Sequence, residues 1–109
     1  MKAIYVRPGS TFEFVASADL AREDLVVLPT GVGVAQDAIP AGGKGLVHVV
    51  GVFAVPKDPT EAIASGAVLY LDEANSRVTA TQGGLTVKAG VAAAPAAASA
   101  PTVDMRLEN

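Results

Sequence analysis

The chain has 109 residues, of which 50% are hydrophobic, 17% charged and 5% aromatic, with a formal net charge of −3. A chain of this length is one small domain and excludes a two-domain enzyme. Its eight Lys and Arg, scattered singly from Lys2 to Arg106, form no basic stripe for nucleic-acid phosphates. The charged fraction lies well below the roughly 25% usual for soluble domains, so part of the surface is expected to be covered by further copies or a larger assembly.

At the start, Met1 to Ser10 (MKAIYVRPGS) places Ile4, Tyr5 and Val6 between Lys2 and Arg7. Arg7, Pro8, Gly9 and Glu13 interrupt any signal-peptide apolar core, and no apolar run reaches membrane-spanning length. The segment reads either as an arm over residues 1–10, preceding a single β domain over 11–109, or as that domain's first strand. Thr11 to Val15 alternates, with Phe12 and Phe14 on one face, as in a half-buried strand. Leu25 to Leu28 is a second strand, ended by Pro29-Thr30-Gly31, and Val32 to Gln36 is a third. Asp37 to Gly45 (DAIPAGGKG) is a loop on turn chemistry.

Leu46 to Val55 (LVHVVGVFAV) is the strongest strand signal. Both of its faces are nearly apolar, which predicts a strand that is central or packed on both sides, with Gly51 marking a bulge or a close backbone approach. Asp58-Pro59-Thr60-Glu61 then has the form of a helix start: a cap, a first-turn proline and an acid three residues on. One short helix near residues 59–65, stopped by Gly66, is the expectation. Strands resume at Ala67 to Leu71, Arg77 to Thr81, Leu85 to Ala92 and Thr102 to Leu107, with hairpin turns at Asp72 to Ser76 and Gln82-Gly83-Gly84. Ala89 to Pro101 (AGVAAAPAAASAP) reads either as a flexible connector or as a strand end followed by a loop over Ala94 to Ala100. Together the elements predict an all-β fold, a small β-barrel or β-sandwich with that one short helix.

Catalytic chemistry is hard to assemble from these residues. Gly42-Gly43-Lys44-Gly45 lacks both the leading Gly and the trailing Ser or Thr of a phosphate loop. Gly31-Val32-Gly33 has Gln36 where a dinucleotide fingerprint needs Gly, so it reads as a turn. The absence of Cys removes disulfides, thiolate chemistry and Cys-based zinc sites, and fits synthesis in a reducing cytoplasm. His48 is the only histidine and lies among valines, as a core or interface residue rather than a general base. Ser65 is not preceded by the Gly of a nucleophile elbow. Glu23-Asp24 and Asp72-Glu73 are sequence neighbours that point apart in extended chain, so neither pair is an acid/base dyad. No catalytic residue, cofactor or metal ligand is therefore assigned, and an enzyme is not expected.

The central stretch carries a family resemblance. Gly51-Val52-Phe53, Pro56-Lys57, Ala62-Ile63, Gly66 and Tyr70-Leu71-Asp72 follow one another in an order and spacing that resembles the capsid decoration or cement proteins of tailed bacteriophages. That family is catalogued as a domain of unknown function, DUF2190, and some members carry a recombinase label. The likeness spans nearly the whole chain, from Gly9 through Val34-Ala35 and Val91-Ala92 to Val103, Met105 and Leu107. Arg22-Glu23 before Asp24 departs from the Gly-Asp turn common in the family, which leaves that turn's type open.

The resemblance implies a small β-barrel or sandwich that binds the outside of an icosahedral shell. Its implied partners are the major capsid protein and further copies of itself, commonly as a homotrimer at local threefold positions, with a dimer as the other form. The implied location is the virion exterior, after synthesis in the host cytoplasm, with no nucleic acid or membrane as partner. The residues needed for nucleotide binding are missing, so nothing supports the recombinase label. Candidate capsid or subunit contacts are Ile4, Tyr5, Val6 and Arg7 in the N-terminal segment, with His48 and Phe53 in the central strand. The alternative is a non-catalytic β-module that binds a glycan on Tyr5, Tyr70 and Phe53 or serves as a tail-associated domain; five aromatics and no Trp make a poor sugar platform.

Overall fold

A computed structural model describes residues 1–6, 9–29 and 31–107. Nine strands form among them: β1 (Thr11–Val15), β2 (Leu25–Leu28), β3 (Gly31–Ala35), β4 (Lys44–His48), β5 (Val52–Pro56), β6 (Val68–Asp72), β7 (Arg77–Thr79), β8 (Lys88–Ala92) and β9 (Thr102–Leu107). They make two antiparallel sheets, ordered β1-β4-β3-β2 and β5-β9-β8-β6-β7. The second sheet curls on itself until Lys57, after β5, bridges Val78 of β7. The chain is thus all-β, as its alternation and turn spacing predict.

Strand β9 shows why these residues extend. In TVDMRL the sequence alternates, and Val103, Met105 and Leu107 are buried while Thr102, Asp104 and Arg106 are exposed. The three join Val55, Ile63, Leu69, Val78 and others in a larger core, to which Val32 and Val34 of β3 also belong. A smaller core lies on the other side of the first sheet, where Val26, Leu28, Ala35 and Val47 pack with Ala16 and Ile39. Its lid is the 37–43 loop, whose Ile39 exchanges backbone hydrogen bonds with Leu20 at 2.8 and 3.0 Å, while Lys44 and Gly45, expected in that loop, belong to β4. Because β3 feeds both cores, all five of its residues are buried. It begins at Gly31, so Gly31-Val32-Gly33 is strand rather than turn.

The predicted strand 46–55 is two strands in different sheets. Val49 N–H donates to the Ser10 carbonyl (2.9 Å), and Leu107 N–H donates to the Gly51 carbonyl (3.0 Å), so the chain changes sheets within three residues. Gly51 makes the turn at φ 128°, a conformation that side-chain-bearing residues rarely adopt. Both faces of the stretch are apolar because Val47 serves the smaller core while Phe53 and Val55 serve the larger. In their sheets β4 is internal but β5 is an edge.

No helix forms at 59–65. The Asp58 carboxylate accepts hydrogen bonds from Thr60 N–H (2.8 Å) and Thr60 Oγ1 (2.7 Å), closing a tight local turn. Glu61 does not fold back as a capping box requires; its carboxylate accepts from Thr79 Oγ1, Ala80 N–H and Thr81 Oγ1 at 3.0 to 3.2 Å. Ile63 pairs on both sides with Ala96, at 2.9 and 2.8 Å. With these groups committed to distant partners, no i to i−4 ladder is left to build. The one helical element among the described residues is a 3-10 turn at Glu73–Asn75, between β6 and β7.

Gln82-Gly83-Gly84 is also not a hairpin turn. Leu85 N–H does donate to the Gln82 carbonyl (2.8 Å), but β6 lies between β7 and β8, so the 80–87 connection carries the chain past it. Of the two readings of the Ala-rich tract, strand end plus loop is the one observed: Ala89 and Ala92 are buried in β8, and Ala96 is fixed by its bridge to Ile63. At Glu23 the backbone takes φ 73°, so this turn is built on a left-handed residue.

Lys57 is buried, only 3% exposed. Its Nζ donates to the carbonyls of Asp58 (2.8 Å), Glu61 (2.5 Å) and Ala98 (3.2 Å), using all three ammonium protons. Lys57→Met keeps the aliphatic stem but strands those carbonyls, and should destabilise the fold by about 3 kcal/mol in urea unfolding. At Gly90 an added Cβ would clash with the Arg106 carbonyl of β9. Gly90→Ala therefore forces the two strands apart and should cost about 2 kcal/mol by the same measurement.

Candidate functional site

Residues 1–6 form no strand and pair with nothing in the sheets. Ile4, Tyr5 and Val6 are 86%, 80% and 78% exposed. Arg7 lies outside the described residues. The root of the segment is fixed, since Thr11 stands opposite His48 in the β1–β4 register. His48 in turn stacks on Phe53, with ring centroids 5.8 Å apart and planes tilted by 39°. The fold thus brings together two of the candidate residues, both half-buried, beside the base of the segment that carries the others. Phe53 packs against the larger core while Tyr5 stands in the exposed segment.

A cleft of about 500 Å³ opens between the sheets on the β2 side. Leu25 and Val27 of β2, with Pro56 and Leu71 from the second sheet, make its apolar floor. Glu23 and Asp24 stand on one rim and Glu73 and Ser76 on the other. The two acidic pairs of the sequence thus contribute three carboxylates to one opening, although no group of three or more His, Asp or Glu among the described residues could hold a metal ion. The cleft was not legible in the sequence because its walls come from turns distant in the chain. The glycine-rich stretch at 42–45 leads into β4, where Lys44 pairs with Glu13 at 3.6 Å on the open surface.

Asp72 and Arg77, which flank Glu73 and Ser76 in sequence, belong to a charge network. Arg77 lies 3.5 Å from Asp58 and 3.8 Å from Asp72, and Asn75 Nδ2 donates to Asp72 at 2.8 Å. The Thr60 hydroxyl and N–H, followed by the Arg77 and Lys57 charges, hold the Asp58 carboxyl below its ordinary value of 3.8.

What the geometry defines is a small two-sheet β domain that offers apolar and acidic surfaces for contact. The model of the phage cement protein family matches residues 6–107, and the chain belongs to that family. It is a structural, capsid-associated protein of the kind that stabilises phage shells. No curated protein and no solved structure matches the chain. No helix among the described residues is long and apolar enough to cross a membrane.

The depressed Asp58 value fixes the sign of a pH effect. Its stabilisation is present above the ordinary value of 3.8 and is lost as the pH falls through the lower folded value. In thermal melts the wild type should exceed Asp58→Asn at about pH 6, with the gap closing as the pH falls below 3.8. A gap that stays constant over that range contradicts the assignment.

Proposed function

We propose that this protein is a head decoration protein that binds the outer surface of an icosahedral phage capsid and stabilises the assembled shell. Membership of the cement family over residues 6–107 carries the reading. Such a protein needs no chemistry: binding across joints between capsid subunits favours the assembled state by mass action. Self-association, as a trimer at local threefold positions or otherwise a dimer, turns a weak contact with the shell into avidity. The low charged fraction and the exposed Ile4, Tyr5, Val6, Leu46, Val50 and Val52 support covered surface of this kind. On this reading residues 1–10 are an arm on a single domain over 11–109. The arm, with Arg7, and the His48 and Phe53 region at its root supply contacts to subunits or shell. The protein is made in the host cytoplasm and resides on the capsid exterior.

Cosedimentation with purified capsids, followed by a heat or chelator challenge, tests the role. The protein should pellet with shells and raise their survival; no gain in survival argues against cementing. Deleting residues 2–8 should leave the unfolding midpoint in place, because the described part of the segment buries nothing, while weakening shell binding. Unchanged binding removes the arm from the mechanism.

A further inference from the structure

We propose that the cleft between the sheets receives the N-terminal segment of a second copy of this chain. The inference rests on the self-association proposed above and names the contact that would produce it. Two uncovered surfaces in the single chain are complementary. The cleft has an apolar floor at Leu25, Val27 and Leu71 and a rim bearing Glu23, Asp24 and Glu73, with no basic residue among the described residues that line it. The segment has Ile4, Tyr5 and Val6, all exposed, flanked in sequence by Lys2 and Arg7.

Backbone geometry supports the same pairing. Strand β2 is the outer edge of its sheet, so none of the described strands lies on its far side. An extended segment can add to such an edge by main-chain hydrogen bonds, its side chains alternating between faces. Lys2, Ile4 and Val6 then share one face. Two apolar side chains meet the floor, and the Lys2 ammonium reaches the carboxylate rim. The contact joins different surfaces of the two copies, a head-to-tail arrangement of the kind that builds rings such as a trimer when the rotation between copies closes. In the single chain the segment stands exposed and the cleft is open, which is why a second copy is the occupant assigned.

The absence of Cys makes the contact testable in the full-length protein. Val6→Cys and Val27→Cys proteins, mixed and oxidised with glutathione disulfide in the absence of capsids, should give a mixed disulfide dimer. Its yield should exceed by roughly five-fold that of Val6→Cys with Ala18→Cys, a bend residue outside the cleft. Ser76→Cys, on the opposite rim, serves as a second acceptor should Val27→Cys fail to fold, with circular dichroism checking each variant. Glu23→Lys with Glu73→Lys should lower the yield several-fold and shift sedimentation towards monomer. Two results overturn the proposal. One is no enrichment at either acceptor. The other is an intrachain disulfide in the Val6→Cys/Val27→Cys double variant diluted into wild-type protein, which places the segment in its own cleft. Shell cosedimentation, measured separately, keeps the readings apart. Lost cross-linking with intact shell binding removes this contact only, and lost shell binding with intact cross-linking removes only the decoration role.

Discussion

A buried ammonium organises the second half of this molecule. Taking a lysine head group out of water costs several kcal/mol unless its donors find partners, and Lys57 finds three carbonyls, at Asp58, Glu61 and Ala98. Two belong to the turn after β5 and the third to the Ala-rich loop before β9, so one side chain fixes the relative position of segments remote in sequence. Its backbone extends the tie: Lys57 bridges Val78, and its N–H donates to the Pro101 carbonyl at 3.0 Å. The closure of the five-stranded sheet, the order of an Ala- and Pro-rich loop and the non-helical path of residues 58–66 all depend on this anchor.

Periodicity was most informative where one strand meets one core. Strand β9 alternates because a single face is buried, and β1, β2 and β6 were legible within a residue or so for similar reasons. It misled at Leu46 to Val55, since one strand with two apolar faces and two strands serving two cores leave the same sequence pattern. Gly51 signalled a local irregularity, a bulge or a close backbone approach, and the chain changes sheets there. The helix expected at 59–65 failed differently. Asp58, Pro59 and Glu61 do have capping chemistry, but a two-turn helix is marginal by itself, and long-range acceptors outweighed it. Glu61 offered no local sign that its carboxylate would be claimed by Thr79, Ala80 and Thr81.

The candidate site divides along the same line. His48 and Phe53 were nameable because they lie close in sequence across the sheet change, and the apolar run Ile4 to Val6 was visible from its flanking charges but read equally as an arm or as a first strand. The cleft was not, because Glu23 and Glu73 are neighbours only through the packing of two sheets. Its apolar floor arises from that packing too. Val27 is 43% exposed although it sits in a strand whose Val26 and Leu28 are buried, because the second sheet covers only part of that face.

The partial coverage connects the fold to the low charge of the chain. A domain of this size that packed its sheets face to face over their full extent would bury Val27 and leave no opening. Here the second sheet curls upon itself instead, and β3 is buried along its whole length. The apolar surface left over is spread among the N-terminal segment, the sheet change and the β2 side of the cleft. A monomer gains nothing from exposing such surface, whereas a subunit that must meet several neighbours at once does. A cement protein acts only if its binding energy is released in the assembled shell and withheld from free subunits. Contacts divided among separate weak patches meet that condition better than one strong patch, because only the lattice presents all their partners together.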